Sequence, residues 1–576
     1  MSNQIEYMKV YLQYIFLFYY TTSFTQTLKH TELLGRPTDN SITLQVFFNE
    51  VSEARILYDT QSGSLTKQTA WQTFPANEPA EITLSELSPD TRYYYKLCYR
   101  VAQSQSEICR PEFSFSTKKA IGKTFTFIVQ ADPHLDEQSD TAVYKLCLQN
   151  QIADKPDFVI DLGDFLMSDK LRNTGNQVTT DTIDYRCNLL RSYYSYIGHS
   201  TPLFIALGNH EGEAGWNLNG TENNIGVTGT LLRKKYFPNP FPNLFYTGDT
   251  TLHPFVGIRE SYYAWTWGDA LFIVLDPYWF TPAKPDALTG WRWTLGKTQY
   301  DWLKNTLEKD HSKFKFVFAH QIVGGTAEGR GGLEVADLYE WGGKSLNGKN
   351  EFSINRPGWY KPVKELLQEH RVNIFFHGHD HFFGKQDKDC LIYQETPQPS
   401  HPNFQNLNYA YEYGYHSGLL LPNSGHLRVT VSDQSVKVEY IKVYLAKNET
   451  SIRKNRDIAA SYQINVKNCY DSLTTGIPVV WNDYYKNELI YPNPFSNQTK
   501  IEFTSQRPQQ IDLTIYNQQG IPVRSLLKHY AIASGKFQIY WDGFGDHAQP
   551  LPSGMYFYSM TDLTGSKKSG KLQLIK

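Results

Sequence analysis

TFTFIVQADPH (residues 124–134) is an apolar run that stops at an acid and an imidazole two residues apart. The same layout recurs in DFVIDLGD (157–164), TPLFIALGNHE (201–211), KFKFVFAH (313–320) and VNIFFHGHDH (372–381). Apolar runs without polar alternation are strands covered on both faces. TAVYKLCLQNQIA (141–153) has helical spacing and lies between the first two runs, and ALFIVLDP (270–277) adds another strand. Residues 122–446 therefore read as an α/β layered core, a β-sandwich flanked by helices. In such cores chemistry gathers at the carboxyl ends of strands, where each polar cluster falls.

The flanks read differently. Residues 28–118 alternate in short runs, SITLQVFF, ARILYDT, AEITLSEL, TRYYYKLCYR and EFSFSTK, separated by turn residues. This is the pattern of an all-β sandwich. Residues 447–487 are polar and irregular and read as a linker. Residues 488–576 form a second all-β sandwich, opened by YPNPF and closed by PSGMYFYSMT and KLQLIK. The chain is thus multidomain, as its 576 residues lead one to expect.

Composition narrows the function. A net charge of -2 leaves no electrostatic footprint for a stable nucleic-acid complex, and ordinary apolar content argues against disorder. Residues 1–26 read as a signal peptide: Met8-Lys9, then VYLQYIFLFYYTTSFTQ, with cleavage near Gln26. A retained membrane anchor is the alternative, and no other stretch is apolar enough to span a bilayer. Six cysteines without CxxC spacing exclude a Cys-based zinc site. Export permits disulfides, and Cys98 and Cys109 can face each other across a hairpin.

The clusters supply Asp132 and His134, Asp164, Asn209 and His210, His320, and His379 and His381. Carboxylate, imidazole and amide ligands without cysteine suit Fe, Mn or Zn better than Mg or Ca. One such cluster is weak evidence, but five in series, each after an apolar strand, form a single metal centre.

The order DPH, GD, GNHE, AHQ, GHDH resembles the calcineurin-like metallophosphoesterase superfamily, whose pattern is DxH, GDxxD, GNH[ED], a lone His and GHxH. The resemblance implies that Asp132, His134, Asp164 and His381 hold one metal ion. It implies that Asp164, Asn209, His320 and His379 hold a second, with His210 beside the leaving group. Ions about 3.5–4 Å apart share a hydroxide that attacks phosphorus in line. The sequence departs from the pattern at Met167, where the family has a second Asp; the nearest carboxylate is Asp169. The N-terminal sandwich, with LSELSPDTRYYYKL like the tyrosine corner of fibronectin type III modules (Tyr93 or Tyr95), is similar to the layout of purple acid phosphatases. Those have DxG and a Tyr ligand where this chain has Asp132-Pro133-His134 and Met167, so no charge-transfer colour is implied.

The tail resembles the sorting domain of the type IX secretion system, on YPNPF, the turn Trp541-Asp542-Gly543 and the closing strands. That implies handling by the secretion machinery of a Gram-negative, Bacteroidota-like bacterium and a secreted or cell-surface product. The expected function is hydrolysis of a phosphate monoester; a phosphodiesterase or nucleotidase using the same core, or a binding protein with a lapsed site, are the alternatives. For substrate contacts, Asn209 and His210 are joined by Arg330, in the glycine-rich loop 324–343, which is either a bidentate clamp on a phosphate oxygen or a solvent-exposed loop residue. Tyr278 and Trp279 are either packing or a stacking surface for a planar leaving group.

Overall fold

The computed structural model describes residues 29–171, 177–451, 453–465, 485–505, 509–518, 521–546, 549–562 and 567–575. The expected signal peptide and much of the expected linker lie outside them. No helix among the described residues is long and apolar enough to cross a membrane.

The core is two sheets packed face to face. One has six strands: Leu203–Ile205, Phe158–Asp161, Phe125–Gln130, Gly425–Val431, Ser435–Lys442 and Ile458–Asn465, in that spatial order. Its first three strands run parallel and the rest antiparallel. The other has eight strands, with Ala270–Val274, Phe314–Phe318, Ile374–His377 and Leu391–Glu395 parallel at its centre. Phe127, Phe158 and Phe204 of the first sheet meet Phe272, Phe316, Phe318 and Phe376 of the second in one buried cluster. The opposite faces are covered too. Helices Thr141–Ala153 and Thr180–Gly198 pack on the six-stranded sheet, and Gly296–Lys309 and Val363–Glu369 on the eight-stranded one. Double coverage explains the missing alternation in these strands. Helix Thr141–Ala153 starts where the Asp140 side chain accepts from Ala142 N and Val143 N.

The linker boundary is corrected. Residues 458–465, expected to be irregular, form the edge strand of the six-stranded sheet. Ala460, Tyr462 and Ile464 face the core on alternate positions. Small and polar partners (Ala459, Ser461, Gln463) diluted that period-two signal.

The N-terminal module is a β-sandwich with its own core, including Leu44, Ile56, Tyr93 and Leu97. Tyr93, one of the two candidates for the corner, accepts from Ser88 N at 2.8 Å. Tyr95 instead donates to the His199 carbonyl at 2.7 Å and ties the module to the core. Cys98 and Cys109 are cross-strand partners and are disulfide-bonded, and Cys390 is disulfide-bonded as well. The C-terminal module pairs a three-stranded with a four-stranded sheet. Trp541 is fully buried there and donates Nε1–H to the Phe544 carbonyl at 3.0 Å across its turn.

Candidate metal centre

All five sequence clusters converge at the carboxyl ends of the strands, where the two sheets meet. Ligand atoms of Asp132, His134 and His381 lie within 4.8 Å of one another, as do those of Asp164, His320 and His379. The groups adjoin: His320 Nε2 is 3.2 Å from Asp164 Oδ2 and 3.7 Å from Asp132 Oδ1, and His134 Nε2 is 3.8 Å from Asp164 Oδ2. All six residues are buried.

The backbone accepts local cost to aim them. Asp132, His134, Asp164, His379 and His381 all have positive φ, between 48° and 80°. Non-glycine residues there cost about 1 kcal/mol or more each, and such strain persists only where the surroundings enforce it. Gly163 and Gly208 let two loops touch: a Cβ on Gly163 would meet Gly208 N at 2.2 Å, and one on Gly208 would meet Asp164 Oδ1 at 2.3 Å. Glu211 joins the same loops. Its carboxylate accepts from the backbone N of Asp164, Phe165, Leu166 and Gly208. Burial first, then the Asp164 charge, push Glu211 up to about 7 despite those donors. Buried Arg186 binds the first loop to the second from behind, donating to the carbonyls of His134, Leu135, Phe165 and Leu166.

The outward imidazole nitrogens are occupied and the inward ones are aimed into the site. His320 Nδ1–H donates to the Leu162 carbonyl at 3.0 Å, and His379 Nε2–H to the Glu328 carbonyl at 3.1 Å. His134 Nδ1 is 3.2 Å from Asp136 Oδ2. A carbonyl only accepts, so His320 and His379 each carry a proton on the outward nitrogen, and the inward nitrogen is the atom a metal ion would take. Asp132 Oδ1, His134 Nε2 and Asn209 Oδ1 are buried with no hydrogen-bond partner among the described residues. Orphaned buried acceptors cost about 1–3 kcal/mol each. A cation bound between them removes that cost, so the residues present fit a metal pair.

The charges agree. Burial works against ionised Asp132 and Asp164, yet the neighbouring imidazoles hold both well below the carboxylate range. Burial opposes charge on His134 and His320 too, but the carboxylates push both up to about 9. His379 and His381 face less compensation, and burial holds both down, His381 to about 4. The site is a sink for positive charge.

His210 stands beside this cradle, with Nε2 4.0 Å from Asp164 Oδ2. Its Nδ1 is 2.8 Å from Asp169 Oδ1. Asp169 thus takes the place left by Met167, because a short helical turn at Ser168–Lys170 carries it back to the imidazole. Arg330 is engaged by protein groups through one of its nitrogens. Its Nη1 donates to the His379 carbonyl (2.7 Å) and to Asp380 Oδ1 (3.1 Å), and its guanidinium lies 4.2 Å over the Tyr413 ring. Buried Asp380 thus holds one edge of the guanidinium in place. Tyr278 and Trp279 are buried: Tyr278 OH bonds Gln321, and Trp279 packs under Arg259. His311 is exposed, and His401 is half-buried against Tyr409 near His134.

Sequence reasoning missed Arg186, Glu211 as an anchor, Asp136 and Tyr409. An Arg inside the apolar stripe Ile183, Cys187, Leu190 was a readable signal for the first. The carbonyls of Leu162 and Glu328 have no residue signature at all.

A cradle of nitrogen and oxygen ligands at the rim of a helix-flanked β-sandwich is the layout expected of a metallophosphoesterase domain. Comparisons agree: residues 125–383 match the calcineurin-like phosphoesterase family model, and residues 489–575 the secretion system C-terminal sorting domain. The central domain is therefore a calcineurin-like phosphoesterase domain, and the chain ends in a type IX secretion sorting domain. No curated protein matches the chain. Among solved structures, PhoD is similar in fold, with TM-score 0.54 and 15% identity over 76% of this chain and 90% of that one. The purple acid phosphatase PPD1 from yellow lupin (Lupinus luteus) has TM-score 0.50 and 15% identity, over 78% of this chain and 77% of that one.

Proposed function

We propose that the chain is an exported hydrolase of phosphate monoesters, dependent on two metal ions of the Fe, Mn or Zn kind. The observation that carries this reading is the convergence of Asp132, His134, Asp164, His320, His379 and His381 around buried acceptors that lack partners. Asp132, His134 and His381 would hold one ion, His320, His379 and Asn209 the other, and Asp164 both. When bound, such ions lower the pKa of water and neutralise charge on phosphoryl oxygens. The protein's own part is positional. Asn209 and His210 sit side by side at the mouth, and Asp169 fixes the His210 ring so that Nε2 faces the cradle. From there Nε2–H protonates the leaving alkoxide. The sorting domain supports release from the cell or attachment to its surface.

The test is hydrolysis of p-nitrophenyl phosphate against bis-p-nitrophenyl phosphate by metal-stripped protein with Mn, Fe or Zn restored, with His379→Ala as control. Metal-dependent turnover of the monoester, lost in the variant, is expected. Preference for the diester would replace monoesterase by diesterase, and no metal binding with no turnover would refute the enzyme reading.

A further inference from the structure

Next to the cradle stands a ladder of planar groups. The Arg330 guanidinium, pinned to the His379 carbonyl and Asp380, lies over the Tyr413 ring. Tyr413 stacks on Tyr409 at 5.7 Å with only 6° between the planes. Tyr409 in turn stands edge-on to His381, 6.0 Å between centroids. The ladder is therefore tied at both ends to the loop that carries His379 and His381, with half-buried Tyr409 against the ligand imidazole. Tyr409 is half-buried, whereas His381 beside it is buried. Its hydroxyl makes no hydrogen bond among the described residues, and the ring is held by its stack on Tyr413 and by edge contacts with His381 and His401. Arg330, the cation expected to read the substrate, has its Nη1 committed to the His379 carbonyl and Asp380. Recognition beyond the phosphoryl group at this side of the rim falls to an aromatic face and to the neighbouring amides of Gln405 and Asn406, both exposed.

We infer that Tyr409 is a specificity-determining residue: it stacks on a flat ring in the leaving group, so that the preferred substrates are phosphate esters of nucleosides or similar ring-bearing alcohols. This rests on the phosphoesterase reading above and goes beyond it by naming the substrate class. The physical basis is that every base or aryl ring offers a π face, that rigid tyrosines lose little entropy on stacking, and that the Tyr413 and Arg330 layers pre-set the angle.

The experiment compares adenosine 5′-monophosphate with ribose 5-phosphate in the metal-loaded protein. The two esters share the same primary alkoxide leaving group, so the base alone separates them. The wild type is expected to favour the nucleotide in kcat/KM by about tenfold, the value of one stacked base. Tyr409→Leu, which keeps bulk but has no ring, is expected to erase that preference, and Tyr409→Phe to keep it. Calorimetry with 5′-deoxyadenosine 5′-methylphosphonate, which is not hydrolysed, gives an independent reading: binding weakens about tenfold in Tyr409→Leu. Equal efficiency on both esters, or a preference that survives in Tyr409→Leu, overturns the stacking role and leaves the phosphoesterase standing. Failure to turn over either ester, with the nitrophenyl esters also untouched and no metal bound, refutes the hydrolytic reading, and the calorimetric result then decides the stacking role by itself.

Discussion

Replacing Asp169 by Asn tests the catalytic geometry most directly. The carboxylate lies 2.8 Å from His210 Nδ1, and its side chain is 35% exposed against 17% for the imidazole. A fully buried pair at that distance would be worth several kcal/mol, and one in water about 1 kcal/mol. Partial exposure places it between, near 2 kcal/mol, or roughly thirtyfold in rate. The loss should depend on the leaving group. A p-nitrophenolate departs without help, whereas an alkoxide needs its proton from Nε2. Steady-state kcat over a series of aryl and alkyl monophosphates is the assay. Asp169→Asn is expected to fall progressively further behind as the leaving group becomes more basic. His210→Ala is expected to fall by about a hundredfold on alkyl esters, and the double variant no lower than His210→Ala, because the two residues act as a unit. An equal loss on every ester, or a further loss in the double variant, would refute the positioning argument.

Three further expectations concern metal, disulfide and pH. His381→Ala should bind one metal ion per chain in place of two, and Asp164→Ala neither, measured by elemental analysis after dialysis. Cys98→Ser with Cys109→Ser opens a bridge of sequence separation 11 and should cost at most about 3 kcal/mol in denaturant unfolding, less because the strands pair anyway; a variant as stable as the parent would contradict this. His199 stacks on Phe113 at 3.9 Å between the N-terminal module and the core, and burial, then Arg110, push it down to about 4. The unfolded chain therefore binds the proton first. The stability that neutral His199 contributes is complete above about pH 6.5 and is lost as pH falls toward 4. His199→Gln should flatten the fall in unfolding temperature over that window, and an unchanged slope would show that another group sets it.

Much of this was legible in the sequence because the core strands are covered on both sides. Phe314–Phe318 and Ile374–His377 could not hide among amphipathic segments, and each handed its polar cluster to the next loop. The strand Ile458–Asn465 was not legible, since an edge strand with alanines and serines offers little contrast between its faces. Asp169 lay outside the expected spacing, and only the left-handed Met167 with the turn after it brings the carboxylate to His210. Arg330 is the opposite case. A glycine-rich loop beside a metal centre invites a substrate role, and the contact of its Nη1 with Asp380, from a strand-end distant in sequence, could not be read from that loop. Contacts made by main-chain carbonyls, as at Leu162 and Glu328, leave no trace in residue type.

The two candidate ion positions divide their ligands in a telling way. Asp132, His134, Asp164 and Asn209 follow strands of the six-stranded sheet, while His320, His379 and His381 follow strands of the eight-stranded one. Neither layer owns a complete set for either ion. Each ion would act as a rivet through both plates, and the rivet holes line up only once the aromatic filling between the plates has set. A half-folded chain would then offer neither ion a full set of ligands, and metal binding would wait on the joining of both sheets.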